Sequence, residues 1–184
     1  MDARPTPIVK DLVLVGGGHS HIAVLRMFGM RPVQGVQLTL VCRDVHTPYS
    51  GMLPGLIAGH YTFDEAHIDL RKLAAFSRAR FIHDSVTGLD LAGRRLRFAG
   101  RPPIPYDLLS LNIGSTPDVA ATAGAARHAV PVKPISNFLP RWAALLRRVE
   151  QLQGPPAIAI VGAGAGGVEL ALAMQYRLRA RFAA

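Results

Sequence analysis

Short apolar runs that end in glycine alternate along this chain with longer stretches whose apolar residues recur at helical spacing. Ile8 to Val15 read as a first strand, bounded ahead by Pro5 and Pro7. The run stops at Gly16-Gly17-Gly18, and Ile22-Ala23-Val24-Leu25 follows. That is the pattern of a buried strand, a tight turn and a helix. The turn from Gly16 through His19 and Ser20 opens a helix running to about Met30, and Pro32 and Gly35 stop it. Val36, Leu38, Leu40 and Val41 predict a second strand, apolar enough for a parallel sheet covered on both faces. Strand, helix and strand within about 35 residues make one right-handed crossover unit.

His46 to Gly59 read as a loop rich in glycine, with Tyr49, Ser50, Gly51 and Met52 at its centre. Asp64 to Ala79 predict a helix with an apolar face of Ile68, Leu70, Leu73 and Phe76, capped by Thr62 or Asp64. Arg80 to His83 predict a strand. Ser85–Leu91, Arg94–Ala99 and Ile104–Leu111 then predict a small antiparallel meander, with turns at Ala92-Gly93 and Gly100 to Pro103. Its last strand ends in Asn112-Ile113-Gly114. Asp118 to Ala129 show little pattern and read as a surface loop. Prolines hold 130–134 extended. Ser136 or Asn137 can cap the next helix, with Pro140 in its first turn. Leu139, Trp142, Leu145, Leu146, Val149 and Leu152 give that helix an apolar stripe, so Trp142 reads as a core residue. Gly154-Pro155-Pro156 is the best boundary. A second strand–glycine–helix unit follows: Ala157 to Val161, then Gly162, Gly164, Gly166, Gly167 and Glu169, running to about Arg181.

The expected class is therefore α/β. A Rossmann-like domain, with a parallel sheet, helices and a small antiparallel meander, occupies 8–134. Residues 135–156 connect it to 157–184, the start of a second Rossmann-like domain. Glycine turns of this kind let backbone approach a pyrophosphate, and the helix N-terminus offers it N–H groups. Two such units suggest two dinucleotides that exchange electrons.

Composition narrows this little. The net charge of +9 fits an anionic partner or, more plainly, a bias toward Arg, Ala, Pro and Gly. The arginines are scattered, with no aromatic-interleaved basic stripe, so no nucleic-acid partner is expected. One cysteine, Cys42, rules out an intrachain disulfide or a Cys-rich metal site. Residues 1–10 make no secretory signal, and no apolar run approaches the roughly 20 residues of a membrane helix. No transmembrane segment and a cytoplasmic location follow as expectations.

Three positions carry chemistry or depart from the usual pattern. A nucleotide fold places Asp or Glu about 20 residues beyond the glycines to hold the ribose. Here that place falls near Cys42, followed by Arg43 and Asp44. Asp44 can reach the ribose, Arg43 can flank the adenine or a phosphate, or both are plain loop residues. The third glycine of the fingerprint is His21, which predicts a helix packed further from its strand. His19, His21, His46, His60 and His67 include no helical His-x-x-x-His pair, so no metal site is expected.

Gly16-Gly17-Gly18, Tyr106 to Leu109 with Asn112-Ile113-Gly114, and Gly162 to Glu169 together resemble the N-terminal part of the pyridine nucleotide–disulfide oxidoreductase superfamily. Leu40 to Asp44 with His46 to Gly59 are most similar to the branch of type II NADH dehydrogenases and sulfide:quinone oxidoreductases. More narrowly, they resemble the flavin oxidoreductases sometimes fused to selenide, water dikinase. The resemblance implies FAD at the first motif, NAD(P)H at the second, and hydride transfer through the flavin to a quinone or other electron acceptor. A selenide, water dikinase domain or protein is an implied partner. By the same resemblance, Gly16 and Gly18 hold the FAD pyrophosphate, with His19 and Ser20 in that turn. Cys42 and Arg43 lie at the ribose end, and Val86 meets adenine through its main chain. Asn112, Ile113 and Gly114 lie near the cofactor, and Ser50, Gly51 and Met52 face the flavin ring. Gly162, Gly164, Gly166 and Gly167 hold NAD(P)H. Glu169 sits on the nicotinamide side as the catalytic candidate, or is an ordinary acid near a helix N-terminus. No Cys pair follows the first unit, so a disulfide-reductase mechanism is not expected. The chain reads as an N-terminal fragment with weakened or absent cofactor binding. The rival reading is a non-catalytic nucleotide-binding module used in sensing or assembly.

Overall fold

Alternation along β1 (Lys10–Val15) sends Leu12 and Leu14 to one face of a sheet and Val13 and Val15 to the other. The computed structural model describes residues 7–152 and 156–182. After β1 come α1 (His19–Met30) and β2 (Val36–Cys42), as the apolar pattern requires. The stretch expected to be a loop is instead ordered. It contains β3 (His46–Pro48), a 3-10 turn at Ser50–Met52, and α2 (Leu53–Ala58). Pro54 lies in the first turn of α2, where a missing N–H costs nothing, and Gly59 ends it in the left-handed region.

The single helix expected over 64–79 is broken into α3 (Phe63–Ala66), β4 (His67–Asp69) and α4 (Leu70–Phe76). Thr62 caps α3 in a capping box with Glu65. The break comes at Asp69, whose carboxylate accepts from the backbone N–H groups of Arg71 and Lys72 and so starts a new helix. β5 is Arg80–His83, as expected. The meander is β6 (Val86–Asp90), β7 (Arg95–Phe98) and β8 (Ile104–Pro105). Its expected third strand is cut short, because residues 108–111 form β9 (Leu108–Leu111) in the main sheet instead. Asp107 makes the transfer: its N–H donates to the Asp11 carbonyl, and its carboxylate accepts from the Asp11 N–H at 2.8 Å.

The chain forms two units, Met1–Thr47 with Ile68–Gly114, and Pro48–His67 with Ser115–Ala184. In the first, four parallel strands run in the order β5-β2-β1-β9. Leu14, Leu38, Leu40 and Cys42 meet Ile22 and Leu25 of α1 and Leu70 of α4 on one face. Val13, Val15, Val41 and Ile82 meet Leu96, Phe98 and Ile104 of the meander on the other. Leu14, Leu25, Leu40 and Leu70 are fully buried, each contributing about 2 kcal/mol by removal from water.

In the second unit α5 (Ala125–His128) is a short exposed turn within the expected surface segment. α6 (Ile135–Val149) begins before Ser136, so Pro140 lies inside the helix rather than in its first turn. There it has no N–H to give to the carbonyl four residues back. Phe138, Trp142 and Leu146 of α6, Leu53 and Ile57 of α2, and Leu170 and Met174 of α7 (Ala165–Phe182) make one core. Trp142 is a core residue as expected, whereas Leu152 is half exposed. The strand expected over Ala157–Val161 is not formed. No strand among the described residues pairs with it, and Val161 is 95% exposed. A parallel strand without a neighbour has no partner for its backbone. The boundary at Gly154-Pro155 lies outside the described residues.

Two stability predictions follow from these elements. Thr39 is fully buried in β2, and its Oγ1 has no hydrogen-bond partner among the described residues. Thr39→Val keeps the shape and removes the stranded hydroxyl, so a gain of about 1 kcal/mol in urea unfolding is expected. A loss would show that the hydroxyl is satisfied in solution. The Arg71 side chain, with the Arg71 and Lys72 N–H groups, holds the Asp69 carboxyl at about 2 against its ordinary 3.8. A depressed folded pKa means stability present above 3.8 and lost as the pH falls toward 2. Melts between pH 5 and 2 are therefore expected to fall less steeply for Asp69→Asn than for the parent.

Candidate cofactor site

The site is built where β1 stops. Gly16 has φ +95°, a left-handed conformation, and a Cβ there would collide with the Asn112 carbonyl. Both facts demand glycine. The Gly16 N–H donates to Val41 O of β2 at 2.8 Å, and the Asn112 N–H donates to Val15 O at 2.8 Å. The turn is thus clamped between the two strands that flank β1. β1 is also where strand order reverses, since β2 lies on one side and β9 on the other. Crevices beyond the carboxyl ends of strands at such a point are where open α/β sheets bind ligands.

Gly18 is the N-cap of α1 and supplies no side-chain cap, and the first turn of α1 carries no acid. The positive end of the helix, equivalent to roughly half a charge, is left for an anion. The Asn112 side chain lies against Gly18, and its Nδ2 donates to Ser20 Oγ at 2.6 Å. His19 and Ser20 are exposed beside it.

His21, two residues into α1, is 2% exposed. Its Nδ1 lies 2.7 Å from Gly16 O and its Nε2 lies 2.9 Å from Ser110 Oγ of β9. The ring fills the space between helix and sheet and bonds to both.

Cys42 continues the inward-facing positions Leu38 and Leu40, so its side chain enters the core. Burial pushes its thiol above the ordinary range, against hydrogen bonds from the Asp44 and Gly17 backbones. A Cβ on Gly17 would sit 3.3 Å from the Cys42 sulfur, which packs beneath the turn. Arg43 is exposed, pairs with Asp44 at 3.2 Å, and its carbonyl accepts from His83 Nε2 at 2.8 Å. Val86 is half-buried at the start of β6, against the sheet face that carries Val13 and Val15. Ile113 is 72% exposed, and Gly114 has φ +75°.

The remaining expected residues belong to the other unit. Ser50 and Gly51 are exposed and Met52 is half-buried in their 3-10 turn. Among the described residues no strand pairs with the segment ahead of the second glycine turn. Gly162 has φ +110°, and the Gly164 carbonyl accepts from Gly167 N–H and Val168 N–H at 2.9 and 3.1 Å. Gly162, Gly164 and Gly166 are exposed, and Gly167 packs against the Gly162 carbonyl. Glu169 is exposed in the second turn of α7.

Gly16, Gly18, Ser20, Cys42 and Asn112 are therefore brought together around one turn. His21 stands at the expected third position of the fingerprint, but its pairing with Ser110 was not expected. The one signal for it is a histidine at the third glycine position and a serine inside an apolar strand. No group of three metal-ligating side chains is found among the described residues, and no described helix is long and apolar enough to cross a membrane.

No protein-family model matches the chain. The chain is 27% identical over 168 residues to the NADH dehydrogenase-like protein YutJ of Bacillus subtilis (strain 168). That match covers 89% of this chain and 44% of YutJ. Its fold is similar to that of the sulfide:quinone oxidoreductase of Aquifex aeolicus, with a TM-score of 0.72 at 22% identity, over 95% of this chain and 41% of that one. It is similar also to NDH2 of Plasmodium falciparum, solved in complex with NADH, with a TM-score of 0.75 at 16% identity, over 95% and 39%. The chain spans less than half the length of each of these relatives. It shares the fold of the corresponding part of these NDH2 and sulfide:quinone oxidoreductase structures.

Proposed function

We propose that this chain is the FAD-holding part of an NAD(P)H-dependent flavin oxidoreductase. The observation that carries the reading is the Gly16 turn: a side-chain-free, clamped loop at the switch point of a parallel sheet, ahead of an uncapped helix N-terminus. The turn suits a pyrophosphate, because its backbone carries no side chains and the uncapped helix end attracts an anion. FAD, when bound, supplies hydride acceptance and onward electron delivery. The residues of this chain supply position. Gly16 and Gly18 give the pyrophosphate close backbone approach, and Ser20 and Asn112 border it. With Cys42 turned into the core, Asp44 is left to reach the ribose, or Arg43 to flank the adenine or a phosphate. Val86 and Gly114 border the cofactor.

In this reading 8–134 hold FAD, 135–156 connect, and 157–184 begin the NAD(P)H-binding portion. Gly162 to Gly167 receive NAD(P)H, and Glu169 is the acid nearest the nicotinamide. The electron acceptor is a quinone or another acceptor, in keeping with YutJ's NADH dehydrogenase-like name and the sulfide:quinone oxidoreductase likeness. A selenide, water dikinase partner rests on the sequence resemblance alone. The second reading is a module that binds the dinucleotide without turnover, used in sensing or assembly.

Titration of the 184-residue chain with FAD, followed by quenching of flavin fluorescence, is expected to saturate and to be lost in Gly16→Ala. No quenching in the parent would overturn the reading. Anaerobic NADH and NADPH added to the flavin-loaded product of the complete reading frame are expected to bleach its visible band. Binding without bleaching would select the non-catalytic module.

A further inference from the structure

An anion-binding turn must point N–H groups at its ligand and keep carbonyls away. Glycine makes this difficult, because a peptide flanked by glycines can rotate and present either group. Gly16 and Gly17 are such a pair, with Gly16 already at φ +95°. The Gly16 N–H is held by Val41 O. Nothing in the backbone of β1, β2 or β9 holds its carbonyl. His21 does, at 2.7 Å.

The chemistry of the partners assigns the proton. A carbonyl oxygen only accepts, so Nδ1 carries the hydrogen and donates to Gly16 O. In the neutral ring Nε2 then accepts, and the Ser110 hydroxyl donates to it. The ring is 2% exposed, so water offers no competing partner. Glycine or alanine at this position would have no such donor.

We propose that His21 is a positioning residue of the dinucleotide turn. Its Nδ1–H draws the Gly16 carbonyl into the protein, so that this oxygen is turned away from an anion at the amides that open α1, and Ser110 sets the ring's tautomer. The proposal rests on the reading of the Gly16 turn as the FAD site. It separates the two ring nitrogens: the Nδ1 bond governs ligand affinity, and the Nε2 bond governs which nitrogen carries the hydrogen.

Paired substitutions test it. In His21→Asn an amide N–H takes the place of Nδ1–H and the reach to Ser110 is lost. In His21→Gln the amide reaches the Nε2 place and the Gly16 bond is lost. Titration of the 184-residue chain with FAD and, separately, with ADP is expected to show a dissociation constant raised about tenfold or more in Gln and only a few-fold in Asn. Thermal melts of the two variants are expected to be similar, which a merely structural role would not combine with split affinities. Independently of any variant, long-range 1H–15N spectra of the unliganded parent are expected to show the Nδ1–H tautomer at neutral pH. Equal affinities in Asn and Gln while the parent binds FAD, or an Nε2–H tautomer, would overturn the role of His21 and leave the flavin reading standing. A parent that binds neither FAD nor ADP would overturn both.

Discussion

The Gly16 peptide is the constraint on which the rest of the site depends. It is held on three sides. Val41 of β2 takes its N–H, the buried His21 ring donates to its carbonyl, and the Asn112 carbonyl of the segment after β9 stands where a side chain would be. Each contact comes from a different part of the sheet–helix layer, so the turn has its shape only when β1, β2, β9 and α1 are assembled together. Two apolar layers hold that assembly, one facing α1 and α4 and the other facing the meander. Folding and site construction are the same event in this unit.

Polar groups do the local steering within that apolar frame. Asp107 passes the chain from the meander to the main sheet by pairing with the Asp11 backbone, and Lys10 reinforces it at 3.4 Å. Asp69 starts α4, and Thr62 with Glu65 starts α3. Asn112 ties the residue after β9 to Ser20 at the mouth of α1. The exposed Lys10–Asp107 ion pair among them adds little stability alone. What they supply is register and the choice of where one element ends.

Legibility in the sequence follows the range of the interaction. The βαβ unit from β1 to β2 was readable because both strands are continuous apolar runs and the glycines between them are diagnostic. β5 and the first two meander strands were readable for similar reasons. The break at Asp69 and the split between β8 and β9 were not, because each is decided by one carboxylate finding distant or competing backbone N–H groups. The strand Ala157–Val161 failed differently: its pattern is right, but a strand exists only with a neighbour, and none among the described residues pairs with it. At the site, the glycines stand out by local motif spacing, whereas Asn112 was named only through the family resemblance. The inward turn of Cys42 could have been read from its parity with Leu38 and Leu40. The pairing of His21 with Ser110 spans 89 positions and has no local signature.

The central claim is that the Gly16 turn is an anion-presenting dinucleotide site. It is tested most directly by residue-resolved 1H–15N spectra of the chain during titration with ADP, the shared half of the dinucleotides. The account requires the largest shifts at the amides from Gly16 to Ser20 and at Asn112. Shifts centred elsewhere, or none at saturating ADP, would contradict it.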